Sequence, residues 1–431
     1  MDFAVSTDPA VQAQLDRLWA LSPGADVLGL SRVSALLARL GDPHLALPPV
    51  FHVAGTNGKG STCAFLRAAL EADGKLVHVY TSPHLVRFNE RIRLAGTLIE
   101  DAALAALLAR VLDRAEGIGA SFFEVTTAAA FLAFAETPAD ACVVEVGLGG
   151  RLDATNVLPD PAVCGVAQLG IDHQAFLGDT IEGIAYEKAG IGKPGRPIVI
   201  HALPPELRRA VERGAGAATI IAAEADWSFT VVADGDLSFH DRAGTIRVPG
   251  PALAGTHQHA NLALAIAMIR AQDRVPVSDR AIAAAPRAVR WPARMQRLAD
   301  GPLTRRARGP VWLDGGHNPA AAGAVAAALA DRLDGAKAHL ILGMLANKDA
   351  AGLLAPFAAL AASLTAVPVP GHEHHDPAAL AALARAIGIA GADTAPDIAA
   401  AVESAPAGTT LILGSLYLAG EVLALNDEPP N

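Results

Sequence analysis

Aromatic residues make up only 4% of this 431-residue chain, and cysteine occurs three times. The cysteines, Cys63, Cys142 and Cys164, lie in apolar segments, without the short spacings of a metal site or a disulfide framework. We therefore expect buried thiols in a reducing compartment.

An excess of positive charge is also missing, since 34 Lys and Arg stand against 44 Asp and Glu, a formal net charge of −10. That balance argues against a surface for nucleic acid. No apolar run approaches the length of a membrane span, and MDFAVSTDPAVQAQLDRLWAL at the start lacks the basic and apolar regions of an export signal. We expect a cytoplasmic, bacterial-type monomer that binds neither nucleic acid nor membrane.

Short apolar runs alternate with Ala-rich helical patterns in the first half of the chain. The runs that predict buried strands are 49–55, 75–82, 141–147, 162–170 and 196–202. Strands separated by helices favour a parallel sheet with helices on both faces.

The rest of the chain divides into three parts. Residues 223–250 alternate apolar and polar residues around D-G and A-G turns, which predicts a small antiparallel patch. A Pro- and Arg-rich linker follows, and then a second alternation of apolar runs and helices. The predicted fold is α/β: a mostly parallel P-loop domain (1–285), a linker (286–298) and a smaller Rossmann-like α/β domain (299–431).

The segment VAGTNGKGST (53–62) is typical of a phosphate-binding loop, although Gly60 separates Lys59 from the hydroxyl of Ser61. A strand precedes it, residues 55–60 form the predicted turn, and an amphipathic helix follows and stops at Gly74. A loop between a strand and a helix N-terminus binds anions through free backbone N–H groups. A glycine-rich turn without a ligand is the alternative.

Two polar side chains follow other predicted strands at the same sheet edge. Glu145 ends an apolar strand, and His173 follows the next one. A single His after a strand is more often structural, and a lone edge-strand Glu is the alternative for Glu145, but together with Ser61 they offer carboxylate, imidazole and hydroxyl ligands to Mg²⁺.

Six segments of this sequence resemble a known family. They are GTNGKGST, TSPHLVRFNERI, EVGLGGRLDATN, DHQAFLGDTIEGIAYEKAGI, GTHQHANLALAI and LDGGHNPAA. Their order and spacing are similar to those of folylpolyglutamate synthase/dihydrofolate synthase, a branch of the Mur ligase superfamily. The similarity runs from about residue 26 to GSLYLAGE, and the extra Gly60 is a feature of that superfamily's loop.

The resemblance implies an ATP-dependent carboxylate-amine ligase of folate biosynthesis and one-carbon metabolism. Such an enzyme joins L-glutamate to the carboxylate of dihydropteroate, to the γ-carboxylate of (tetrahydro)folate polyglutamates, or to both, through an acyl phosphate. It implies ATP and two Mg²⁺ ions as cofactors.

The resemblance also implies roles for individual residues. The nucleotide contacts are Thr56, Asn57, Gly58, Lys59, Gly60, Ser61, Asn261, Arg294 and Asp314. The metal ligands are Ser61, Ser82, Glu145 and His173. The catalytic residues are Lys59, His317 and Lys188, of which Lys188 would carry a CO₂-derived carbamate. The segments that resemble the folate site are 27–41, 121–127 and 152–155. The substrate-binding residues are Leu28, Gly29, Leu30, Ser31, Phe122, Phe123, Glu124, Leu152, Asp153 and Ala154 of these segments, together with Ser82.

Several points stay open at this stage. Ala293 stands where the family usually has glycine, and the His-rich segment 371–376 is interpreted as a surface loop. A cell-wall Mur ligase and a P-loop ATPase without ligase activity are the alternative functions. The sequence does not decide whether the enzyme adds the first glutamate, extends the chain, or does both.

Overall fold

The structure is a computed structural model that describes residues 5–21 and 28–431. It contains two α/β units, each built on its own sheet, which confirms the predicted fold class. Val27, the first residue of the predicted folate segment 27–41, lies outside the described residues. Within those residues, no helix has both the length and the apolar character needed to span a membrane.

The larger unit combines an eight-stranded sheet with a three-stranded sheet. Its strands are β1 (Val50–Ala54), β2 (Val77–Tyr80), β3 (Ile92–Leu94), β4 (Thr97–Leu98), β5 (Ala141–Glu145), β6 (Val163–Val166), β7 (Pro197–Ile200), β8 (Thr219–Ala222), β9 (Trp227–Val231), β10 (Leu237–Asp241) and β11 (Gly244–Val248). Its helices are α1 (Pro9–Ala20), α2 (Ser31–Arg39), α3 (Lys59–Ala72), α4 (Asp101–Ala115), α5 (Phe122–Glu136), α6 (Gln174–Leu177), α7 (Ile181–Ala189), α8 (Pro205–Ala215), α9 (His257–Ala271) and α10 (Asp279–Ala288).

The large sheet has the strand order β4-β3-β2-β5-β1-β6-β7-β8. Pairing is parallel from β2 to β8, and β3 and β4 add an antiparallel edge. One face packs on α1, α2, α4 and α5, and the other on α3, α9 and α10. The predicted antiparallel patch is confirmed as β9 to β11.

Helix α3 differs from its prediction in two respects. It begins at Lys59, so Lys59 and Gly60 belong to its first turn and not to the preceding loop. It is also buried on nearly all sides, because it packs between the sheet and two other helices, α9 and α10. Its predicted end at Gly74 is close, since α3 stops at Ala72 and Gly74 has a φ of +77°.

The smaller unit has a six-stranded sheet. Its strands are β12 (Gln296–Arg297), β13 (Val311–Leu313), β14 (Ala338–Leu342), β15 (Ala361–Ala366), β16 (Gly391–Thr394) and β17 (Thr410–Leu413). Its helices are α11 (Pro319–Leu333), α12 (Ala350–Leu354), α13 (Pro377–Ala386), α14 (Ile398–Ser404) and α15 (Leu416–Leu425). The order is β12-β13-β17-β14-β15-β16, and only β12 pairs antiparallel among these strands.

Regular structure extends into the predicted linker from both ends. Helix α10 continues to Ala288 and β12 begins at Gln296, so the connection without regular structure is 289–295. Helix α10 tolerates Pro286 near its C-terminal end. The division into 1–285, 286–298 and 299–431 stays a prediction.

Ala293 lies in this connection with a φ of +54°, a left-handed conformation that glycine adopts far more easily than alanine. Ala293→Gly should relieve about 1 kcal/mol of strain and lose a buried methyl group worth about 0.8 kcal/mol. We therefore expect the free energy of unfolding to change by less than about 1 kcal/mol. The control Ala263→Gly, in the buried interior of α9, should lower it by about 1 kcal/mol or more. Equal losses in denaturant titrations of the two variants would contradict this account.

Candidate active site

The carboxyl ends of both parallel sheets face a common cavity of about 760 Å³. The larger unit contributes residues that follow β1, β2, β5 and β6, and the smaller unit contributes residues that follow β13, β14 and β17. Ligands of open α/β sheets bind at this end of the strands. We call this cavity the cleft.

The glycine-rich loop lines the cleft and is held in place by backbone and side-chain hydrogen bonds. The Thr56 backbone N–H donates to Gln168 O at 2.8 Å, and the Thr56 hydroxyl donates to Gly170 O at 2.8 Å. Asn57 contacts Asn318 of the smaller unit through two amide hydrogen bonds of 3.1 and 3.3 Å. The loop is therefore fixed from both sides of the cleft.

Two glycines of the loop are required by close packing. A Cβ atom on Gly58 would lie 2.4 Å from Asn261 Oδ1, and one on Gly60 would lie 2.5 Å from the Trp291 ring. Gly58 also has a φ of +84°. The extra glycine between Lys59 and Ser61 thus has a local reason, because Trp291 occupies the space that a side chain would need.

Two lysines share one acceptor behind the loop. Lys59 Nζ and Lys188 Nζ donate to Gly55 O at 3.1 and 3.0 Å. Lys188, which α7 carries as predicted, is only 3% exposed. Burial, and after it the charge of Lys59, lower the pKa of Lys188 to about 7, while Asp172 and Asp153 oppose the shift.

The predicted metal ligands lie along the larger unit's edge of the cleft. Ser61, Ser82, Glu145 and His173 all line it, and the Ser82 backbone N–H donates to Glu145 Oε2 at 3.3 Å. Burial raises the pKa of Glu145, while the charge of Lys59 and this hydrogen bond act against the shift. A bound cation would stabilise the ionised form of this buried carboxylate.

His173 lies at the exposed mouth of the cleft. Its backbone is left-handed, with a φ of 52°. Partial removal from water lowers the pKa of His173; Asp172 acts against this shift, and the positive charges of Lys348 and Lys59 add to it. A neutral ring is the form that binds metals.

Among the described residues, no group of three or more His, Cys, Asp or Glu side chains is arranged to hold a metal ion. An ion at this edge would therefore complete its coordination with serine hydroxyls, water and phosphate oxygens. That mixture fits Mg²⁺, which retains waters and shares its coordination with nucleotide phosphates.

The predicted nucleotide contacts from outside the loop also line the cleft, and Asn261 lies directly against Gly58. Asn261 is buried on α9, where its amide donates to Gln258 Oε1 at 3.0 Å. Asp314 accepts from the Met295 and Gly316 backbone N–H groups at 2.8 and 2.7 Å. Burial raises the pKa of Asp314, and the charge of Arg294 is the strongest opposing effect.

An aromatic pocket forms the end of the cleft next to α5. Phe122 and Phe123 line it, and the Trp19 ring lies 5.0 Å from the Phe122 ring. Glu124 accepts from Arg32 Nε at 2.9 Å and from the Ser121 backbone N–H at 2.7 Å. Its other oxygen, Oε1, is buried without a hydrogen-bond partner among the described residues, so it can accept from a ligand N–H group.

Most predicted site residues meet in the cleft, and three do not. Leu28, Gly29, Leu152, Asp153 and Ala154 line it, as do Arg294 and His317. Leu30 and Ser31 do not line it, because they form the N-terminal end of α2 and Ser31 is exposed. Lys188 lies behind the loop instead of on the surface of the cleft.

Asp153 lines the cleft, yet its carboxylate is already engaged. It accepts from the Leu148 and Thr155 backbone N–H groups, each at 2.9 Å, and from the Thr155 hydroxyl at 2.5 Å. Burial raises the pKa of Asp153, and the hydrogen bonds from Thr155 and Leu148 act against that shift. These contacts make its position rigid.

An ion pair between the two units was missed from sequence. Lys348 Nζ lies 2.6 Å from Asp172 Oδ1, and the Asn318 amide donates to Asp172 Oδ2 at 3.2 Å. Burial acts to raise the pKa of Asp172, but His317, whose Nε2 lies 3.7 Å from Oδ2, and the charges of His173 and Lys348 hold it well below its usual range. The two residues are separated by 176 positions, so no local pattern links them.

The His-rich segment 371–376 is at the surface, as predicted, but it also supports the cleft. The His372 ring stacks on Tyr417 at a centroid distance of 3.9 Å, and His375 Nε2 lies 2.8 Å from Lys348 O. Tyr417 and Lys348 both line the cleft.

Comparison with known proteins agrees with this geometry. Residues 293–416 match the family Mur ligase, glutamate ligase domain. The chain is 37% identical over 341 residues to the dihydrofolate synthase/folylpolyglutamate synthase of Bacillus subtilis (strain 168), covering 74% of this chain and 76% of that protein.

Two solved structures match nearly the whole chain. E. coli FolC in complex with DHPP and ADP has a TM-score of 0.86 and 32% identity, over 97% of this chain and 98% of that one. A bifunctional folylpolyglutamate synthase/dihydrofolate synthase with Mn, AMPPNP and L-glutamate bound has a TM-score of 0.84 and 31% identity, over 97% and 99%. The chain therefore belongs to the folylpolyglutamate synthase/dihydrofolate synthase family of the Mur ligase superfamily and is an ATP-dependent carboxylate-amine ligase.

Proposed function

We propose that this enzyme both adds the first glutamate to dihydropteroate and extends the γ-glutamyl chain of (tetrahydro)folates. The observation that carries the proposal is that one cleft joins a phosphate loop, an acidic edge and an aromatic pocket. Both reactions need these same parts, because each activates a carboxylate with ATP and then forms an amide. The names of the bacterial relatives, which combine the two activities, support the proposal.

The nucleotide binds at the loop in this proposal. The loop residues 56–61 hold the phosphates through backbone N–H groups at the start of α3. Asn261, Arg294 and Asp314 contact the rest of the nucleotide. Lys59 places its positive charge where the transferred phosphoryl group develops negative charge.

Two Mg²⁺ ions complete the site in this proposal. Ser61, Ser82 and Glu145 hold the first, and His173 with Lys188 supports the second. When bound, the ions neutralise charge on the phosphate oxygens. The Mn-containing relative supports a divalent metal.

Lys188 reacts with CO₂ to form a carbamate in this proposal. Only the neutral amine reacts, and the pKa of Lys188, lowered to about 7 by burial, makes that form abundant near neutral pH. The carbamate turns a buried cation into an anion that reaches further than a glutamate. It therefore replaces a repulsive neighbour of the metals with a ligand.

The folate ring stacks in the aromatic pocket in this proposal. Phe122 and Phe123 provide flat apolar surface, and Glu124 Oε1 accepts from an amino group of the ring. Leu28, Gly29, Leu152, Asp153 and Ala154 shape the pocket, and Leu30 and Ser31 support the segment that carries Leu28 and Gly29. His317 lies where the smaller unit faces the loop, and we assign it to the acyl phosphate or the incoming glutamate.

We also propose that the protein acts as a cytoplasmic monomer. Its three cysteines are buried and unpaired, which suits a reducing compartment. A single chain supplies residues on every described side of the cleft.

We propose that the ion pair between Asp172 and Lys348 holds the two units together in the closed, active arrangement. Both side chains are nearly buried, so Lys348→Met leaves an uncompensated carboxylate and should reduce kcat/KM by about tenfold or more. Scattering should show less compaction with a non-hydrolysable ATP analogue, substrate and Mg²⁺ than in wild type. Lys337→Met, on an exposed lysine, is the control. Unchanged compaction and activity in Lys348→Met would rule out this role.

Product mass analysis tests the proposed function. The protein is incubated with ATP, Mg²⁺, L-glutamate and either dihydropteroate or tetrahydrofolate. We expect a gain of one glutamyl residue on dihydropteroate and of one or more on tetrahydrofolate. A gain on only one substrate would reduce the proposal to a single activity, and a gain on neither would refute it.

A further inference from the structure

The segment 82–87 belongs to the larger unit by sequence but also packs on the smaller unit. It lies between β2 and β3. Its side chains Leu85 and Val86 contact a hydrophobic core whose buried members all lie between residues 293 and 423. That core is formed by the smaller unit and by the connection that precedes it. We call the segment 82–87 the bridging segment.

The larger unit holds the bridging segment through hydrogen bonds. The Glu90 carboxylate accepts from three consecutive backbone N–H groups, those of residues 85–87, at 2.7 to 2.8 Å. His84 is buried, and its Nδ1 atom accepts from Arg91 Nε at 2.9 Å. These bonds fix both the backbone and a side chain of the segment, so it has little freedom to bend between the two units.

The contact between the bridging segment and α15 is very close. A Cβ atom on Gly420, in the buried interior of α15, would overlap with Leu85 O and lie 2.7 Å from the Leu85 carbonyl carbon. Glycine allows such a close approach of two backbones because it has no side chain. Helix α15 therefore rests directly on the backbone of the bridging segment.

Ser82, the first residue of the bridging segment, lies at the edge of the cleft. Its backbone N–H donates to Glu145 Oε2 at 3.3 Å, and both residues line the cleft. Two residues separate Ser82 from Leu85. A movement of α15 relative to the larger unit is therefore transmitted to Ser82 over a short, hydrogen-bonded stretch of chain.

We propose that the contact between α15 and the bridging segment positions Ser82, so that the metal site at the edge of the cleft is complete only when the smaller unit is docked. The inference rests on the proposed function, in which Ser82 helps to hold the first Mg²⁺ ion. Gly420 and Leu85 are positioning residues, since neither lines the cleft. The smaller unit supplies none of the predicted metal ligands, yet in this proposal it controls their geometry.

This linkage has a different role from the ion pair between the two units. Domain closure in enzymes commonly completes the catalytic arrangement and commits the substrate. The pair of Asp172 and Lys348 holds the units together, whereas the bridging segment connects their docking to a metal ligand. ATP is then positioned for phosphoryl transfer only in the docked arrangement.

Gly420→Ala tests the contact, and Gly323→Ala is its matched control. Alanine favours helices more than glycine does, so neither substitution should weaken its own helix. At Gly420 the new Cβ atom fits only if α15 moves away from Leu85. At Gly323, inside α11, it would meet no neighbouring atom of the described residues within 4 Å. Only Gly420→Ala should therefore displace Ser82.

Binding of Mn²⁺, used in place of Mg²⁺, gives a readout other than activity. It is followed by electron paramagnetic resonance with one equivalent of ADP, whose own chelation of Mn²⁺ is the same in every sample. Gly420→Ala should weaken Mn²⁺ binding by about tenfold or more, the usual effect of disturbing the groups that orient metal ligands. Ser82→Ala should weaken it similarly, and Gly323→Ala should bind Mn²⁺ as wild type does.

The double variant Ser82→Ala/Gly420→Ala shows whether Gly420 acts through Ser82. Residues that act through one ligand give non-additive losses, so the double variant should bind Mn²⁺ no more weakly than Ser82→Ala alone. A loss that arises instead from displaced nucleotide contacts of the smaller unit adds to that of Ser82→Ala. Leu85→Ala, which loosens the same contact, is the second variant if Gly420→Ala does not fold, and it should behave in the same way.

Three results would overturn the proposal: wild-type Mn²⁺ binding in a folded variant of Gly420 or Leu85, wild-type binding in Ser82→Ala, or additive losses in the double variant. Mn²⁺ and ADP bind in this experiment without dihydropteroate or L-glutamate. Its failure would therefore leave the result of product mass analysis unchanged, which separates it from failure of the proposed function.

Discussion

Replacing Lys59 with alanine should reduce ligation by about 10²-fold or more while the protein remains folded. Lys59 begins α3 and bends back over the loop, where its Nζ atom contacts Gly55 O and Thr56 O at 3.1 and 3.4 Å. Phosphate oxygens are stronger acceptors than these carbonyls, so bound ATP should draw the ammonium group towards itself. The loss should fall mainly on kcat, because charge on the phosphoryl group increases in the transition state.

The control for this prediction is Lys75→Ala, which removes a lysine just beyond the end of α3 and outside the cleft. Its turnover should match that of wild type, and thermal unfolding should confirm that both variants are folded. If Lys59→Ala turns over at the wild-type rate, the loop is not the nucleotide site.

Lys188→Ala should also abolish ligation, and short carboxylates such as acetate should restore part of it. The side chain is buried behind the loop, and its removal leaves a gap beside Gly55 O that a small anion can enter. A carboxylate there replaces the proposed carbamate as a metal ligand. Chloride at equal ionic strength should not restore activity, and this comparison distinguishes a ligand from a salt effect.

The rate at which CO₂ restores activity should depend on pH. Because burial lowers the pKa of Lys188 to about 7, most of the amine is neutral at pH 8 and most is protonated at pH 6. At equal concentrations of dissolved CO₂, protein freed of CO₂ should therefore recover activity faster at pH 8 than at pH 6. An electron-density map of the active enzyme that shows a bare ammonium group at Lys188, away from any metal, would refute the carbamate.

The buried strands of the larger sheet could be predicted from sequence, including β7 next to its edge, whereas the edge strands β4, β8 and β16 could not. Strands β1, β5 and β6 are buried on both faces, so they form continuous apolar runs. Strand β16 (GADT) is mostly exposed and has no apolar run to reveal it. The hairpin of β3 and β4 turns at Ala95 and Gly96, both with positive φ. The motif TSPHLVRFNERI, which ends at the start of β3, indicates a family but does not predict a hairpin.

The site residues also divide into those with a local sequence signal and those without one. Residues 56–61 and Glu145 carry local signals, because a glycine loop and a carboxylate in an apolar strand are unusual in themselves. The pair Asp172 and Lys348 and the contact of Trp291 with Gly60 depend on how distant segments pack. Trp19, on α1, packs against Phe122 in the aromatic pocket. The sequence of α1 is that of an ordinary amphipathic helix, so it does not indicate this contact.

Transfer of ¹⁸O from substrate to phosphate tests the central claim most directly. Dihydropteroate labelled with ¹⁸O in its carboxylate is incubated with the protein, ATP, Mg²⁺ and L-glutamate, and the released phosphate is analysed by mass spectrometry. A ligase that works through an acyl phosphate must leave one carboxylate oxygen on the phosphate, so each phosphate should carry one ¹⁸O. Unlabelled phosphate, released whether or not glutamate is present, would mean that the protein hydrolyses ATP without activating a carboxylate.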